Sequence, residues 1–374
     1  MAEQKTDELG LTVEERRFLA RYGFDADTFA RLKADLAAGE FPPERNRITH
    51  TVAPPEEGDL RPWPKTGTND AATCERIGFE AIEKGKVAVV ILNGGMATRF
   101  GGRVKGVVEV IDNKSFLELK LGDVARARGP VATFVMNSFA TEADTESHLK
   151  AIRRAGLPED RIHLLTQRVS VRLTPSGDVV RDDKGKADFY APGHGDVLEV
   201  LAESEAFQRF VAAGGRTVMV SNVDNLAATL LPKIVGAHLD GGKKVTVEVA
   251  PRVPGDKGGA PVRINGRVEI LEAFRFPDDF DLASLPVFNT NTLLLDVSAV
   301  RTDYALTWFR TDKESRGRKV VQFERLMGEV TAFVDATYLE VERVGPEGRF
   351  LPVKTPDDLI AIRPVVRDRF AGLT

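Results

Sequence analysis

The sequence predicts an α/β protein in which a doubly wound, mixed sheet follows a helical N-terminal segment. The prediction depends on short apolar runs along the chain, on the helical stretches between most of them, and on the polar or glycine-rich segments that end them. Runs that are apolar on consecutive residues suit a parallel sheet buried on both faces. The runs that we interpret as strands are 87–92, 131–136, 162–165, 217–220 and 245–249.

The first 85 residues are predicted to form a helical N-terminal extension. Apolar side chains recur at helical spacing between residues 12 and 38, which indicates one or two amphipathic helices. Residues 41–68 are rich in proline and are interpreted as an extended connection. A further helix is predicted over 71–84, and residues 86–374 form the second domain.

The second domain continues the alternation of strands and helices. Helices are predicted over 116–127, 141–155 and 196–213, and Thr141 with Asp144 three residues later resembles a capping box. In doubly wound folds, ligands bind beyond the carboxyl ends of the strands. Polar residues that follow the apolar runs are therefore candidate functional residues.

After residue 260 the pattern becomes more antiparallel. Asn265 and Gly266 separate two short segments that we interpret as strands, 262–264 and 267–271, and this dipeptide favours a hairpin turn. We interpret residues from about 255 to 345 as a lobe inserted in the sheet.

Composition favours a protein that acts on a small molecule. The 374 residues are 42% hydrophobic and 29% charged, which is ordinary for a globular protein. The formal net charge is −4, and the basic residues are scattered, so neither nucleic acid nor a membrane surface is an expected partner. Cys74 is the single cysteine, and the first residues lack a secretory pattern, so a cytoplasmic location is expected.

A glycine-rich turn directly follows the first predicted strand. Gly94 and Gly95 would let backbone N–H groups approach an anion closely. The turn matches neither the P-loop pattern nor the dinucleotide pattern G-x-G-x-x-G. Simple turn chemistry is the alternative, and Lys105 downstream is either a phosphate ligand or a solvated lysine.

A series of motifs then resembles eukaryotic-type UDP-glucose pyrophosphorylases. The first block spans residues 92–119 and includes Gly94, Gly95, Thr98 and Lys105. The later blocks follow in the family's order, and the resemblance covers residues from about 87 to about 362. These blocks are Val135-Met136-Asn137-Ser138-Phe139, 141–145, Pro192-Gly193-His194-Gly195-Asp196, Val220-Ser221-Asn222-Val223-Asp224-Asn225-Leu226, Asp256-Lys257-Gly258-Gly259, Phe288-Asn289-Thr290-Asn291 and Phe350-Leu351-Pro352-Val353-Lys354-Thr355.

This resemblance implies a Rossmann-like fold of the nucleotide-diphospho-sugar transferase or GT-A-like class. Residues 86–374 would be the catalytic domain, and the lobe from about 255 to 345 would bind the sugar. It also implies residue roles. UTP would be bound by Leu92, Asn93, Gly94, Gly95, Gln167, Gly193 and Asp224. The sugar 1-phosphate would contact His194, Asn222, Asn289 and Asn291. Lys105 and Lys354 would contact phosphates, and Asp224 would bind Mg²⁺, a hard cation that prefers carboxylate oxygen.

Structural alternatives exist for these residues. Asp224 could cap a helix near Leu230, and Asp196 or Gly195 could start the helix after His194. Asn289 and Asn291 could be turn formers, and Gln167 an exposed loop residue.

The resemblance implies in-line attack of the sugar 1-phosphate on the α-phosphorus of UTP, with Mg²⁺ and lysines stabilising charge. No general base is required because the attacking phosphate is already anionic. His194 would therefore position the substrate.

The sequence departs from the family pattern at two places. Arg99 follows Thr98 where the family has a different residue, so Arg99 is a further candidate catalytic group. The chain ends soon after Lys354, without the C-terminal β-helix of eukaryotic relatives. The oligomeric state is therefore open, with a monomer or a different dimer expected. Another sugar 1-phosphate, and a non-catalytic nucleotide-sugar binding protein, remain alternatives.

Overall fold

The computed structural model describes residues 6–97, 101–256 and 258–373. The helices formed by these residues are α1 Val13–Arg21, α2 Ala26–Ala37, α3 Asn69–Glu83, α4 Phe116–Ala125, α5 Glu142–Ala151, α6 Val197–Glu203, α7 Glu205–Ala212, α8 Pro232–Gly241 and α9 Pro356–Arg369. None of these helices combines the length and the apolar character needed to cross a bilayer.

The strands alternate with the helices along most of the chain. They are β1 Val52–Ala53, β2 Leu60–Pro62, β3 Val87–Leu92, β4 Met96–Ala97, β5 Arg103–Val104, β6 Glu109–Ile111, β7 Lys114–Ser115, β8 Ala132–Asn137, β9 Ile162–Thr166, β10 Ser170–Val171, β11 Phe189–Tyr190, β12 Thr217–Asn222, β13 Val245–Pro251, β14 Ala260–Ile264, β15 Arg267–Leu271, β16 Val287–Asp296, β17 Phe309–Ser315, β18 Arg318–Glu324 and β19 Ala336–Glu340.

An eight-stranded mixed sheet forms the centre of the molecule. Its strand order is β2-β19-β13-β16-β12-β3-β8-β9. Strand β16 runs antiparallel to both of its neighbours, and the other pairs in the sheet are parallel. The predicted mixed α/β sheet is confirmed, and all five predicted strand runs belong to it.

Helices cover both faces of this sheet, as a doubly wound fold requires. Side chains of β3 alternate between two hydrophobic clusters, one containing Val89 and Ile91, the other Val90 and Leu92. Helices α3, α4, α8 and α9 contribute to the first cluster, and α6 and α7 to the second. Every β3 side chain is consequently buried, which explains why the run is apolar at consecutive positions.

The N-terminal helices dock on a satellite of the main sheet. Helices α1 and α2 pack against β10, β11 and β18 in a separate hydrophobic cluster. Within it Glu15, 6% exposed, accepts hydrogen bonds from Arg181 and from the backbone N–H of Ala187. These contacts attach α1 and α2 to the chain between β9 and β11.

Two elements of the predicted N-terminal extension contact the central sheet and its helices. Strand β2 is hydrogen-bonded to β19 of the main sheet, and α3 packs on α8. The connection 41–68 is not uniformly extended, because it contains β1, β2 and a 3₁₀ turn at Pro43–Asn46.

The predicted lobe at about 255–345 is also not one unit. The predicted hairpin is present as β14 and β15, to which β1 adds a third strand, and β17 pairs with β18. Strands β16 and β19, however, lie in the main sheet. The lobe therefore consists of two small β units that flank strands of the central sheet.

Two helix predictions need correction. Thr141 does not form a capping box, because its hydroxyl accepts from the backbone N–H of Ser138 at 2.9 Å instead of the N–H three residues later. The helix predicted over 196–213 is two helices, since Ser204 is extended and its side chain caps α7.

Candidate active site

Two adjoining cavities open at the carboxyl edge of the central parallel strands, and they share Asn222 and Asp224. The first has a volume of about 440 Å³ and the second of about 380 Å³. Predicted site residues in the first are Leu92, Gly94, Gly95, Lys105, Gln167, Gly193 and His194. Those in the second are Asn289, Asn291 and Lys354.

The sheet topology explains why these distant residues meet. Leu92 and Asn222 are register partners at the ends of the parallel strands β3 and β12. Because β16 is antiparallel to β12, its amino-terminal residues reach the same edge. Asn289 and Asn291 are therefore brought beside Asn222, although they begin a strand rather than end one.

Gly94 is required at its position by the side chain of Gln167. A Cβ atom at residue 94 would lie 2.0 Å from Gln167 Oε1. Gln167 is only 6% exposed, and its Nε2 donates to the carbonyl oxygen of Gly193 at 2.8 Å. The glutamine is thus a buried link between the glycine turn and the histidine loop, and the exposed-loop alternative for it is wrong.

Gly193 has a conformation and surroundings that favour glycine. Its φ is +89°, and a Cβ atom there would lie 2.4 Å from the carbonyl oxygen of Arg325. The chain 193–195 therefore lies directly on the segment that follows β18.

Asn93 lies beneath the glycine turn rather than in the cavity lining. Its side chain is fully buried and donates to Asn137 Oδ1 and Thr145 Oγ1, both at 2.9 Å. Its backbone N–H donates to the carbonyl oxygen of Met136. The side-chain nitrogen and the backbone N–H of Asn93 are therefore engaged within the fold, and its contact with the nucleotide stays a prediction.

His194 faces the first cavity as a neutral imidazole. Burial lowers the pKa of His194 to about 4. Its Nδ1 lies 3.1 Å from the backbone nitrogen of Met327, which donates to it. Since Nδ1 accepts, the ring proton is on Nε2, and that N–H is the group available to a ligand.

The segment containing His194 is anchored by a buried carboxylate. Asp196 does not cap α6 through its side chain; it accepts from Arg325 at 2.6 Å. Burial raises the pKa of Asp196 to about 6, and Arg325 opposes that rise. Arg325 also bonds Glu199 of α6, so the helix, the histidine turn and the segment after β18 are held together.

Lys105 and Asp224 form an ion pair in the first cavity. Lys105 Nζ lies 3.0 Å from Asp224 Oδ2 and also donates to the carbonyl oxygen of Val353. Asp224 does not cap the next helix, whose cap residue is Leu231. The lysine therefore connects the glycine-rich region, the end of β12 and the segment before α9.

The donor set at Asp224 suits a hard divalent cation. The carboxylate is about one quarter exposed and lines both cavities, and Asn222 nearby offers an amide oxygen. Mg²⁺ in nucleotide enzymes typically takes one or two carboxylates and completes its shell with water and substrate phosphates. These residues fit such an ion.

The segment 349–354 brings Lys354 to the second cavity. Pro352 forms a β-bridge with Asn225, and the backbone N–H of Val353 donates to the carbonyl oxygen of Asp224 at 3.3 Å. Asp358 accepts from the backbone N–H groups of Lys354 and Thr355 and completes a capping box that begins α9. Lys354 thus lies at the cavity wall near Asp224.

The asparagines of β16 form a small network at the base of the second cavity. Asn291 adopts a φ of +59°, a left-handed conformation that asparagine tolerates better than most residues. Its backbone N–H donates to Asn289 Oδ1 at 2.9 Å, and its Nδ2 donates to Asn222 Oδ1 at 3.2 Å. The turn-former alternative is therefore partly right, because Asn291 occupies a bulge and also faces the cavity.

Sequence reasoning missed Arg343, which lines the second cavity. Its guanidinium lies over the rings of Phe288 and Phe350 at 4.9 and 5.4 Å and makes two hydrogen bonds to Asp256. Burial would raise the pKa of Asp256, but the bonds to Arg343 lower it. Arg343 lies outside the recognised motif blocks, so no sequence signal identified it. Arg99 lies outside the described residues.

The family model described as UTP–glucose-1-phosphate uridylyltransferase matches residues 49–369. The chain belongs to this family. The recognition made from the sequence motifs is confirmed. The family match also includes β1, β2 and α3, which precede the first motif block.

Curated members of the uridylyltransferase family share about 30% identity with the chain. The UTP–glucose-1-phosphate uridylyltransferase of Solanum tuberosum is 31% identical over 297 residues, covering 74% of this chain and 61% of the relative. The Saccharomyces cerevisiae protein of that name is 30% identical over 301 residues, with 74% and 59% covered. The matched region spans about three fifths of the length of these relatives.

Solved structures of UDP-sugar pyrophosphorylases share the fold. A variant of Leishmania major UDP-glucose pyrophosphorylase in complex with UDP-glucose superimposes with a TM-score of 0.73 at 24% identity, covering 94% of this chain and 78% of that one. A Trypanosoma brucei uridine diphosphate N-acetylglucosamine pyrophosphorylase superimposes with a TM-score of 0.70 at 20% identity, covering 83% of this chain and 72% of that one. The nucleotide-diphospho-sugar transferase fold expected from the sequence is confirmed.

Proposed function

We propose that this chain transfers the uridylyl group of UTP to glucose 1-phosphate and forms UDP-glucose and pyrophosphate. The observation that carries the proposal is the junction of two cavities at Asn222 and Asp224. The first cavity is lined by glycines and the amide of Gln167 and has Lys105 in its wall. The second is lined by asparagines and has Lys354 in its wall. A nucleotide and a sugar phosphate bound there would meet at the same carboxylate.

The first cavity suits a uridine nucleotide. Gly94 and Gly193 leave the backbone uncovered, so a flat base could approach it closely. Gln167 lies between these glycines and presents an amide, the kind of group that can exchange hydrogen bonds with the polar edge of uracil. The triphosphate would then extend toward Lys105.

The second cavity suits a hexose phosphate. Asn289 and Asn291 provide amide donors and acceptors at its base, and hydroxyl groups of a sugar need both. Lys354 lies in the same wall and supplies positive charge for a phosphate. The preference for glucose rests on the family, whose curated relatives are named for glucose 1-phosphate.

We further propose that Asp224 holds Mg²⁺, with Asn222 as a supporting oxygen donor. When bound, such an ion neutralises phosphate charge and polarises the phosphoryl group under attack. The ion pair with Lys105 would have to rearrange, because Lys105 Nζ already lies 3.0 Å from one Asp224 oxygen. Lys105 Nζ would then turn from Asp224 toward the phosphates.

The reaction is a single in-line substitution. A phosphate oxygen of glucose 1-phosphate forms a bond to the α-phosphorus of UTP, and the bond from that phosphorus to the pyrophosphate oxygen breaks. The electron pair leaves with pyrophosphate. Lys105 and Lys354 stabilise the developing negative charge, and the Nε2–H of His194 donates to a phosphate oxygen without transferring its proton.

The proposal is tested by measuring pyrophosphate release from UTP, Mg²⁺ and a panel of sugar 1-phosphates that includes glucose, galactose and N-acetylglucosamine. Release should be fastest with glucose 1-phosphate. Lys105→Ala and Asp224→Asn should each lower kcat by roughly a hundredfold or more, as loss of preorganised charge does elsewhere. Lys150→Ala, which removes an exposed lysine on α5, is the matched control and should leave the rate unchanged.

Each other outcome has a defined meaning. Faster release with another sugar would contradict the proposed sugar and leave the uridylyl transfer in place. Binding of UTP without pyrophosphate release from any sugar would refute catalysis and favour a nucleotide-sugar binding protein. We propose a cytoplasmic site of action, which the use of small phosphorylated substrates supports; fractionation of the source cells tests it.

A further inference from the structure

Lys120 is a buried lysine that contacts the loop holding Asp224. It belongs to α4, on the side of the sheet opposite α6, and is 4% exposed. Its Nζ donates to Ser221 Oγ at 2.9 Å, to the carbonyl oxygen of Asn225 at 3.3 Å and to that of Ala228 at 2.6 Å. An ammonium has three N–H donors, and here each has a neutral acceptor.

Two of these acceptors belong to a buried segment of irregular backbone. Residues 223–230 form no helix or strand apart from the β-bridge of Asn225, yet Asn225 is 1% exposed and Leu226 is fully buried. A buried carbonyl group without a partner costs free energy comparable to a lost hydrogen bond. Lys120 is the donor to the carbonyl oxygen of Ala228, and it adds a second donor to that of Asn225, which also accepts from the backbone N–H of Ala228 at 3.2 Å.

A second residue of the same helix holds the far end of the segment. Asp123 Oδ2 accepts from the backbone N–H of Leu230 at 2.7 Å. Arg349 Nη2 donates to the carbonyl oxygen of Thr229 between them at 3.2 Å. The segment is therefore fixed at Asn225, Ala228, Thr229 and Leu230, and Asp224 lies immediately before the first of these contacts.

Burial makes the charged form of Lys120 less favourable than it would be in water. Burial lowers the pKa of Lys120 to about 8, and Asp123 opposes this shift. An apolar side chain of the same length would avoid that cost but would remove this donor from the Ser221 hydroxyl and from the carbonyl oxygen of Ala228. The contacts thus account for an ammonium at this place in the core.

We propose that Lys120 is a positioning residue for uridylyl transfer, acting through residues 221–228 to hold Asn222 and Asp224 where the two cavities join. The inference rests on the proposed function. Lys120 is too deeply buried to touch either substrate, so its contribution is the placement of the groups that do. Loss of comparable supporting contacts in other active sites costs about 10- to 100-fold in activity or metal affinity.

The test compares Lys120→Met with Lys233→Met. Lys233 is a similarly buried lysine of α8 whose Nζ contacts Thr66 and Glu347, away from both cavities. Both variants are expected to lower the melting temperature. Only Lys120→Met should lower kcat, by about tenfold or more, and raise the Mg²⁺ concentration for half-maximal rate, while KM for UTP stays near the wild-type value.

A second measurement does not depend on activity. Hydrogen exchange of the backbone amides of 223–230 should accelerate in Lys120→Met and stay unchanged in Lys233→Met, because local opening exposes these amides. If Lys120→Met does not fold, Lys120→Gln replaces it, since its amide retains two donors. The same criteria then apply to that variant with smaller changes expected.

The outcomes separate the two claims. If the wild-type protein turns over and Lys120→Met has the same kcat, the positioning role is overturned and the proposed function stands. Equal losses of kcat in the Lys120 and Lys233 variants would also overturn it, because general destabilisation would explain both. Wild-type protein without turnover would refute the proposed function and, with it, the catalytic part of this inference; hydrogen exchange would then decide whether Lys120 holds the segment.

Discussion

Arg349 and Glu248 form a fully buried, bidentate ion pair beneath the second cavity. Arg349 Nε lies 2.8 Å from Glu248 Oε2, and Nη2 lies 2.6 Å from Oε1, with both side chains 0% exposed. The carbonyl oxygen of Arg349 also accepts from Asn225 Nδ2. The pair therefore joins β13 to the segment that leads to Lys354, and it fixes that segment against the loop after Asp224.

Breaking this ion pair should destabilise the protein strongly. Arg349→Met leaves the Glu248 carboxylate buried without its partner, and such changes typically cost about 3–5 kcal/mol of unfolding free energy. Urea denaturation followed by circular dichroism measures the loss. Glu146→Ala, which breaks an exposed pair on α5, is the control and should cost at most about 0.5 kcal/mol. If both variants lost the same small amount of unfolding free energy, burial would not be what makes the Arg349–Glu248 pair important for stability.

The imidazole of His194 should remain neutral across the ordinary pH range. Burial lowers the pKa of His194, and also that of His238, to about 4, from a usual value of 6.5. NMR of imidazole nitrogens at pH 6 should show these two rings uncharged, with the His194 proton on Nε2. A charged His194 at pH 6 would contradict this assignment.

The same shift predicts a dependence of stability on pH. Between about pH 6.5 and 4 the unfolded histidine binds a proton that the folded one does not, so stability falls as the pH falls through this window. Comparing urea unfolding at pH 7 and pH 5 measures the effect. His194→Gln removes this group from the linkage and should lose less stability between the two pH values than the wild-type protein does.

The sheet, and the edge at which the two cavities open, were predictable from sequence because their signals are local. The six residues of β3 are apolar in succession, and the polar or glycine-rich segment follows at once, so both the strand and its cavity-bearing edge were predicted. Lys105, Asp224 and Lys354 were assigned by resemblance, since each falls within a recognisable motif block.

Features that depend on contacts between distant residues were not predictable. The partners Asp256 and Arg343 are separated by 87 residues, and Lys120 meets Ala228 across 108. Nothing in the flanking sequence marks such a lysine as buried. The buried network of Asn93 was missed for the same reason, because its partners Asn137 and Thr145 come from β8 and α5. The place of β2 in the main sheet was not predicted because this strand, three residues long, carries almost no periodic signal.

The glycine turn offers a matched pair of substitutions. Gly94→Ala places a Cβ atom 2.0 Å from Gln167 Oε1, whereas a Cβ at Gly95 meets no atom within 4 Å. Gly94→Ala should displace Gln167 and weaken UTP binding by up to about tenfold, the cost of roughly one lost hydrogen bond. Gly95→Ala should fold normally and bind UTP more tightly than Gly94→Ala. Calorimetric titration of UTP into each variant tests the difference, and equal affinities would contradict it.

Two asparagines adopt a left-handed backbone conformation, one in the second cavity and one in a hairpin turn. Asn291 has φ +59° in the cavity, and Asn265 has φ +50° in the hairpin between β14 and β15. Replacing either with alanine should cost roughly 1–2 kcal/mol of unfolding free energy, because alanine is disfavoured in this conformation. Only Asn291→Ala should also raise KM for glucose 1-phosphate, since it alone removes an amide that bonds Asn222. Asn291→Gly separates the two effects: it should restore the stability and keep the raised KM. Steady-state kinetics of the three variants decides this, and a normal KM in Asn291→Gly would show that the amide does not contact the sugar phosphate.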